Sequence, residues 1–97
     1  MAEYLFRPKA RTDIEAIWNY SNRTWGFQQA QRYVTALRDA CQLLASNPGL
    51  GIKREILYPG LRVYSCGKHL IYYLILTDGI DVVRVLHERM DSEHYFP

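Results

Sequence analysis

Ala10, Ile14, Ile17, Trp18, Ser21 and Trp25 recur at steps of three, four and one, which traces one face of an amphipathic helix. Pro8 suits the first turn of that helix, where the N–H that proline lacks would have no intrahelical acceptor in any case. Gly26 interrupts the pattern. A second helix follows from Ala30, Tyr33, Val34, Leu37, Ala40, Cys41, Leu44 and Ala45, which keep helical spacing over about four turns. Ser46-Asn47-Pro48-Gly49 stops it, because the residue before a proline is steered out of the helical region and the next residues favour turns. Two helices joined by a short glycine turn make an antiparallel αα-hairpin.

The remaining apolar runs have strand character. Tyr4-Leu5-Phe6 is long enough for one short strand before Pro8. Three further runs, 61–65, 68–76 and 80–87, are separated by Cys66-Gly67 and Thr77-Asp78-Gly79 and predict a meander. The middle run is continuously apolar from Leu70 to Leu76, as expected of a central strand covered on both faces. In a regular last strand, Val83, Val85 and His87 share one face and Val82, Arg84 and Leu86 the other, so His87 and Arg84 can line one pocket only across a bulge. Residues 46–60 form a loop long enough to suggest function or mobility. The order βααβββ predicts an α+β fold with the helical hairpin packed on one face of an antiparallel sheet. Something else must cover the other face, and residues 91–97 can form a short helical turn or a docked tail.

Composition narrows the class. The 97 residues suit a single domain spanning 1–97, and 48% hydrophobic with 13% aromatic residues describes a packed globule. Cys41 and Cys66 are too few to staple a secreted scaffold and form no CxxC pair, so both are expected reduced and buried. No leader-like or membrane-length apolar segment is visible, which makes a cytoplasmic location the expectation. A net charge of +2 gives no bulk electrostatic case for direct nucleic-acid binding. Yet Lys53, Arg54, Arg62, Lys68, Arg84 and Arg89 gather on or near the later strands, where an acidic partner segment or RNA could use them.

Candidate chemistry is sparse. A metal-free RNA cleavage site needs a base, an acid and cationic stabilisers around one phosphate, and Glu55, Arg62, Arg84 and His87, with Lys53, are the available set. Each has an ordinary alternative as a solvated or hydrogen-bonded residue. His69, His87 and His94 lack ligand spacing, so no metal or other cofactor is expected. Arg62, Arg84 and Arg89 suit bidentate contacts to carboxylates, whether of a partner, of the target or of this chain itself. Trp18 and Trp25 read as core wedges or as exposed partner contacts.

Several local motifs, in this order, resemble the RelE/ParE toxin superfamily, and its ParE branch in particular. They are Arg7-Pro8-Lys9-Ala10 with Asp13-Ile14; Ile17-Trp18-Asn19-Tyr20 with Trp25-Gly26; Ala45-Ser46-Asn47-Pro48 with Gly49-Leu50-Gly51; Pro59-Gly60-Leu61-Arg62; His69-Leu70-Ile71-Tyr72-Tyr73; and 83–91. The resemblance implies a toxin of a type II toxin-antitoxin pair that inhibits DNA gyrase by stabilising cleaved DNA, has no chemistry of its own, and is neutralised by a ParD-like antitoxin. RelE-branch relatives instead cut ribosome-bound messenger RNA, which would give Glu55, Arg62, Arg84 and His87 catalytic roles. A third possibility is a non-toxic binding module that acts with its antitoxin as a repressor complex. Under the ParE reading, an antitoxin segment lies along the helical hairpin and across the open sheet face, meeting Arg62, Arg84, Arg89, Trp18 and Trp25. Met90, Tyr95 and Phe96, apolar groups near the chain end with little sequence left to bury them, are the expected target contacts.

Overall fold

A computed structural model describes residues 2–96. Its elements are β1 (Glu3–Phe6), α1 (Pro8–Trp25), α2 (Phe27–Ser46), β2 (Ile52–Lys53), β3 (Arg62–Cys66), β4 (His69–Leu76) and β5 (Gly79–His87), with 3-10 turns at Pro48–Leu50 and Ser92–Tyr95. The α+β architecture and the order of the main elements agree with the apolar pattern. Two details differ from it. The sheet runs β1-β5-β4-β3-β2, with β1 parallel to β5, so it is mixed and not wholly antiparallel. The segment 46–60 also contains the extra strand β2, paired antiparallel with β3.

That segment is tied down rather than loose. The Tyr73 hydroxyl donates to the Pro48 carbonyl at 2.6 Å and accepts from the Gly51 N–H at 2.8 Å, while Arg62 Nη1 donates to the Gly51 carbonyl at 2.6 Å. Burial pushes the Tyr73 phenol up, which keeps it a neutral donor. A Cβ on Gly51 would collide with the Tyr73 ring. Tyr73→Phe is therefore expected to cost about 2 kcal/mol, because it leaves a donor and an acceptor without partners. Urea unfolding measures this, and a loss under about 0.5 kcal/mol would mean the latch holds nothing.

The helices bury Ala10, Ile14, Ile17, Val34, Leu37 and Leu44 against Ile71, Tyr73, Ile80, Val82 and Val85. On the opposite face Leu57, Leu61, Tyr72 and Leu86 form a second cluster, which Tyr95 and Phe96 cover. The C-terminal tail is thus docked, with the Phe96 ring 5.0 Å from that of Tyr72 and the Arg84 guanidinium 5.0 Å over Tyr95. This corrects the premise that Tyr95 and Phe96 have little left to bury them, since the covering surface comes from earlier strands. Of the two free cysteines, Cys41 is buried and its thiol is pushed up to about 12, whereas Cys66 is only partly buried.

Strand β5 is not regular. Tyr72 faces Arg84 but Tyr73 faces Val82, so Val83 is an extra residue in the ladder, a β-bulge. Val82 and Val85 both reach the helical layer, while Val83 and Leu86 reach the opposite cluster. Val83 and Val85 therefore do not share a face as simple alternation predicts.

Candidate docking groove

Helix α1 starts beside the middle of β5 and runs toward the His87 end of the sheet, where a groove of about 650 Å³ opens between them. Ile17 and Val85 contribute its apolar lining, and Tyr20, Trp25 and Met90 stand on it with exposed surface. Trp25 is 68% exposed, so it is not the core wedge that its helical spacing allowed. Gly26 ends α1 at that point with φ +93°, and the tryptophan is left at the mouth of the groove. Trp18 packs against the core and meets Phe27 edge to face at 5.5 Å. The His87 N–H donates to Met90 Sδ at 3.3 Å, which sets Met90 beside the groove.

One wall is polar and tightly bonded. The Tyr33 hydroxyl accepts from the Lys68 N–H at 3.0 Å and shares a hydrogen bond with His69 Nδ1 at 2.6 Å. His87 Nδ1 accepts from the Arg89 N–H at 3.1 Å, and the two imidazoles meet edge to face at 5.3 Å. Burial, reinforced by His87, pushes the His69 pKa down. A histidine held neutral in the folded state contributes fully above its unfolded pKa of about 6.5 and loses that contribution as pH falls through the lower folded value. Thermal stability is expected to drop on acidification below about pH 6.5, with a shallower drop in His69→Gln, and melting curves across pH decide it.

The candidate catalytic residues are spread out. Arg62 faces Tyr73 and His87 faces His69, four residues apart on β4, or about 13 Å along the strand. Glu55 accepts from the Gly60 N–H at 3.2 Å, and with Arg62 and Lys53 it borders a different pocket from the one His87 lines. Arg84 is held by Asp13, whose carboxylate takes Nε and Nη2, each at 2.8 Å, and also the Val85 N–H at 2.9 Å. This pairing lifts the guanidinium pKa further. Arg89 borders the groove. Among the described residues no three His, Cys, Asp or Glu side chains gather as a metal-ligand set.

Asp13, Tyr20 and Tyr33 were not singled out from the sequence as site residues. Asp13 did leave a signal, since it is an acid next to Ile14 on the apolar stripe of α1, where a charge needs a partner.

The family model for the ParE toxin of the type II toxin-antitoxin system, parDE, matches residues 4–92. The chain belongs to the ParE toxin family. The matched stretch spans both helices and nearly the whole sheet, and the docked Tyr95 and Phe96 lie just beyond it. Toxin ParE1 of Mycobacterium tuberculosis is 41% identical over 93 residues, covering 95% of each chain. Toxin ParE1 of Caulobacter vibrioides is 33% identical over 92 residues, again covering 95% of each. A solved chain of the chromosomal ParDE TA system from P. aeruginosa superposes with a TM-score of 0.74 over 90% of this chain and 96% of that one. At 19% identity it bears on the fold alone. No helix of the described ParE-family chain is long and apolar enough to cross a membrane.

Proposed function

We propose that this chain works as one toxin domain in the cytoplasm, that it arrests growth by binding DNA gyrase and holding it on cleaved DNA, and that a ParD-like antitoxin neutralises it. Family membership supports the toxin role and the antitoxin partner. The observation that carries the non-enzymatic part is the separation of Glu55 and Arg62 from His87, with Arg84 already engaged by Asp13. General acid-base cleavage needs those groups around one phosphate.

For the antitoxin, the groove offers the features that an amphipathic helix uses, with exposed Tyr20, Trp25 and Met90 as apolar anchors and Arg89 for an acidic side chain. Arg62 and Trp18, committed to the Gly51 carbonyl and to the core, serve as secondary contacts at most. Arg84 contributes through its pairing with Asp13. Trp25→Ala is expected to weaken antitoxin binding by about 2 kcal/mol, roughly 30-fold, as for a central aromatic anchor. Calorimetry reads this directly, and unchanged affinity would remove Trp25 from the interface. Met90, 40% exposed, is the accessible target contact, whereas Tyr95 and Phe96 become available only if the tail leaves the sheet.

The deciding experiment is gyrase supercoiling of relaxed plasmid with the purified chain, run beside ribosome-bound message. Inhibition with trapped linear DNA and intact message is the expected result. Cut message with unaffected gyrase would overturn the reading in favour of an endoribonuclease. Normal growth and unaffected gyrase would leave a non-toxic binding module.

A further inference from the structure

The two edges of the sheet are built differently. Strand β2 is two residues long and includes Lys53, and short edges and lysines both deter further pairing. Strand β1 is twice that length and has no lysine, proline or bulge within Glu3–Phe6. Glu3 donates its N–H to the Asp78 carbonyl and Arg7 to that of Val82, at 2.9 and 3.0 Å, so residues 3, 5 and 7 direct their backbone groups at β5. In a parallel ladder the alternate residues, Tyr4 and Phe6, then direct both N–H and C=O away from the sheet. The side chains of Tyr4 and Phe6 pack on the core, while Leu5 stands 55% exposed on the opposite face.

We propose that this edge pairs with β1 of a second copy of the chain, antiparallel about a two-fold axis through Leu5. The order Glu3-Tyr4-Leu5-Phe6-Arg7 is complementary to itself in that register. Tyr4 faces Phe6 of the second copy, and the two exchange both backbone bonds. Leu5 meets Leu5, burying an exposed side chain. Glu3 faces Arg7, which uses only Nε for Asp81 at 2.7 Å and keeps its terminal nitrogens for a second carboxylate. The symmetry is that of an isologous contact. A strand pair this short falls below the ~800 Å² per partner of standard interfaces, so the dimer is concentration-dependent.

Sedimentation of the isolated 97-residue chain from micromolar to near-millimolar concentration tests the pairing. A shift from the 11.4 kDa protomer toward twice that mass is expected. Leu5→Lys and Leu5→Glu should each stay monomeric, and an equimolar mixture of the two should dimerise again because opposite charges then face across the axis. Glu3→Arg, which sets arginines opposite each other without touching Leu5, should also abolish the dimer. A wild-type chain that stays monomeric throughout, a dimer that persists in Leu5→Lys, or a mixture that fails to reassociate while each variant keeps a native circular dichroism spectrum would overturn the proposal.

Discussion

Asp13→Ala is expected to destabilise the chain by about 3 kcal/mol and to lower its melting temperature by roughly 12–24 °C. The Asp13 and Arg84 side chains are only 13% and 14% exposed, and the carboxylate holds three donors, two on the guanidinium and one on the Val85 backbone. Removing it leaves a largely buried cation without its counter-charge and the Val85 N–H without an acceptor. The Tyr95 ring 5.0 Å from the guanidinium returns part of the loss, which is why the figure sits at the low end for a broken buried pair. Asp13→Asn keeps an acceptor for Val85 and should fall between the two. A double variant, Asp13→Leu with Arg84→Met, should be more stable than Asp13→Ala, since no charge is then left alone. That double variant is also the background in which to ask whether Arg84 contributes to antitoxin affinity, because the single Arg84 substitution disturbs α1, β5 and the tail at once. Chemical denaturation followed by circular dichroism measures the series, and a loss below about 1 kcal/mol for Asp13→Ala would show that the pair contributes no more than an exposed ion pair.

The partner of Asp13 is not legible in local pattern, because Arg84 lies 71 residues away. Both helices were legible because Pro8, Gly26 and Asn47-Pro48 punctuate two long stretches of helical period, and local chemistry sets those boundaries. The meander was legible for the same reason, through alternating or continuous apolar runs between glycine turns. Strand β2 was not, since two residues cannot display a period of two. Nor was the parallel pairing of β1 with β5, which joins segments more than 70 residues apart and depends on the hairpin between them. The bulge at Val83 is a shift in how β5 pairs with Tyr72 and Tyr73 of β4, so no pattern within β5 alone announces it. The groove was hidden differently. In the sequence Trp25 and Met90 read as separate candidate contacts and Tyr20 as neither, and only the end of α1 at Gly26 and the turn after His87 bring the three onto one exposed surface. A surface built to bind has no residue code comparable to a catalytic triad.

Gly79→Ala is expected to be more damaging still, at about 4 kcal/mol or beyond. Gly79 has φ +147°, a conformation L-residues rarely adopt, and a Cβ there would run into the carbonyl oxygen of Glu3 on the neighbouring strand. The strain of such a backbone in a non-glycine residue is of order 1–3 kcal/mol. The clash adds to it, because the obstacle is backbone and cannot rotate aside. Relief requires β1 to separate from β5, which exposes Tyr4 and Phe6 and breaks the bonds that begin at Glu3 and end at Arg7. Gly26→Ala separates the two effects. Gly26 also has a positive φ, +93°, but a Cβ there meets nothing within 4 Å, so only the conformational part, about 1–2 kcal/mol, should appear. Equilibrium unfolding compares them, and hydrogen exchange locates the damage, with amides at the start of β1 losing protection first in Gly79→Ala. Equal losses in the two variants would mean that β1 yields without cost and that its place beside β5 contributes little to the stability of the fold.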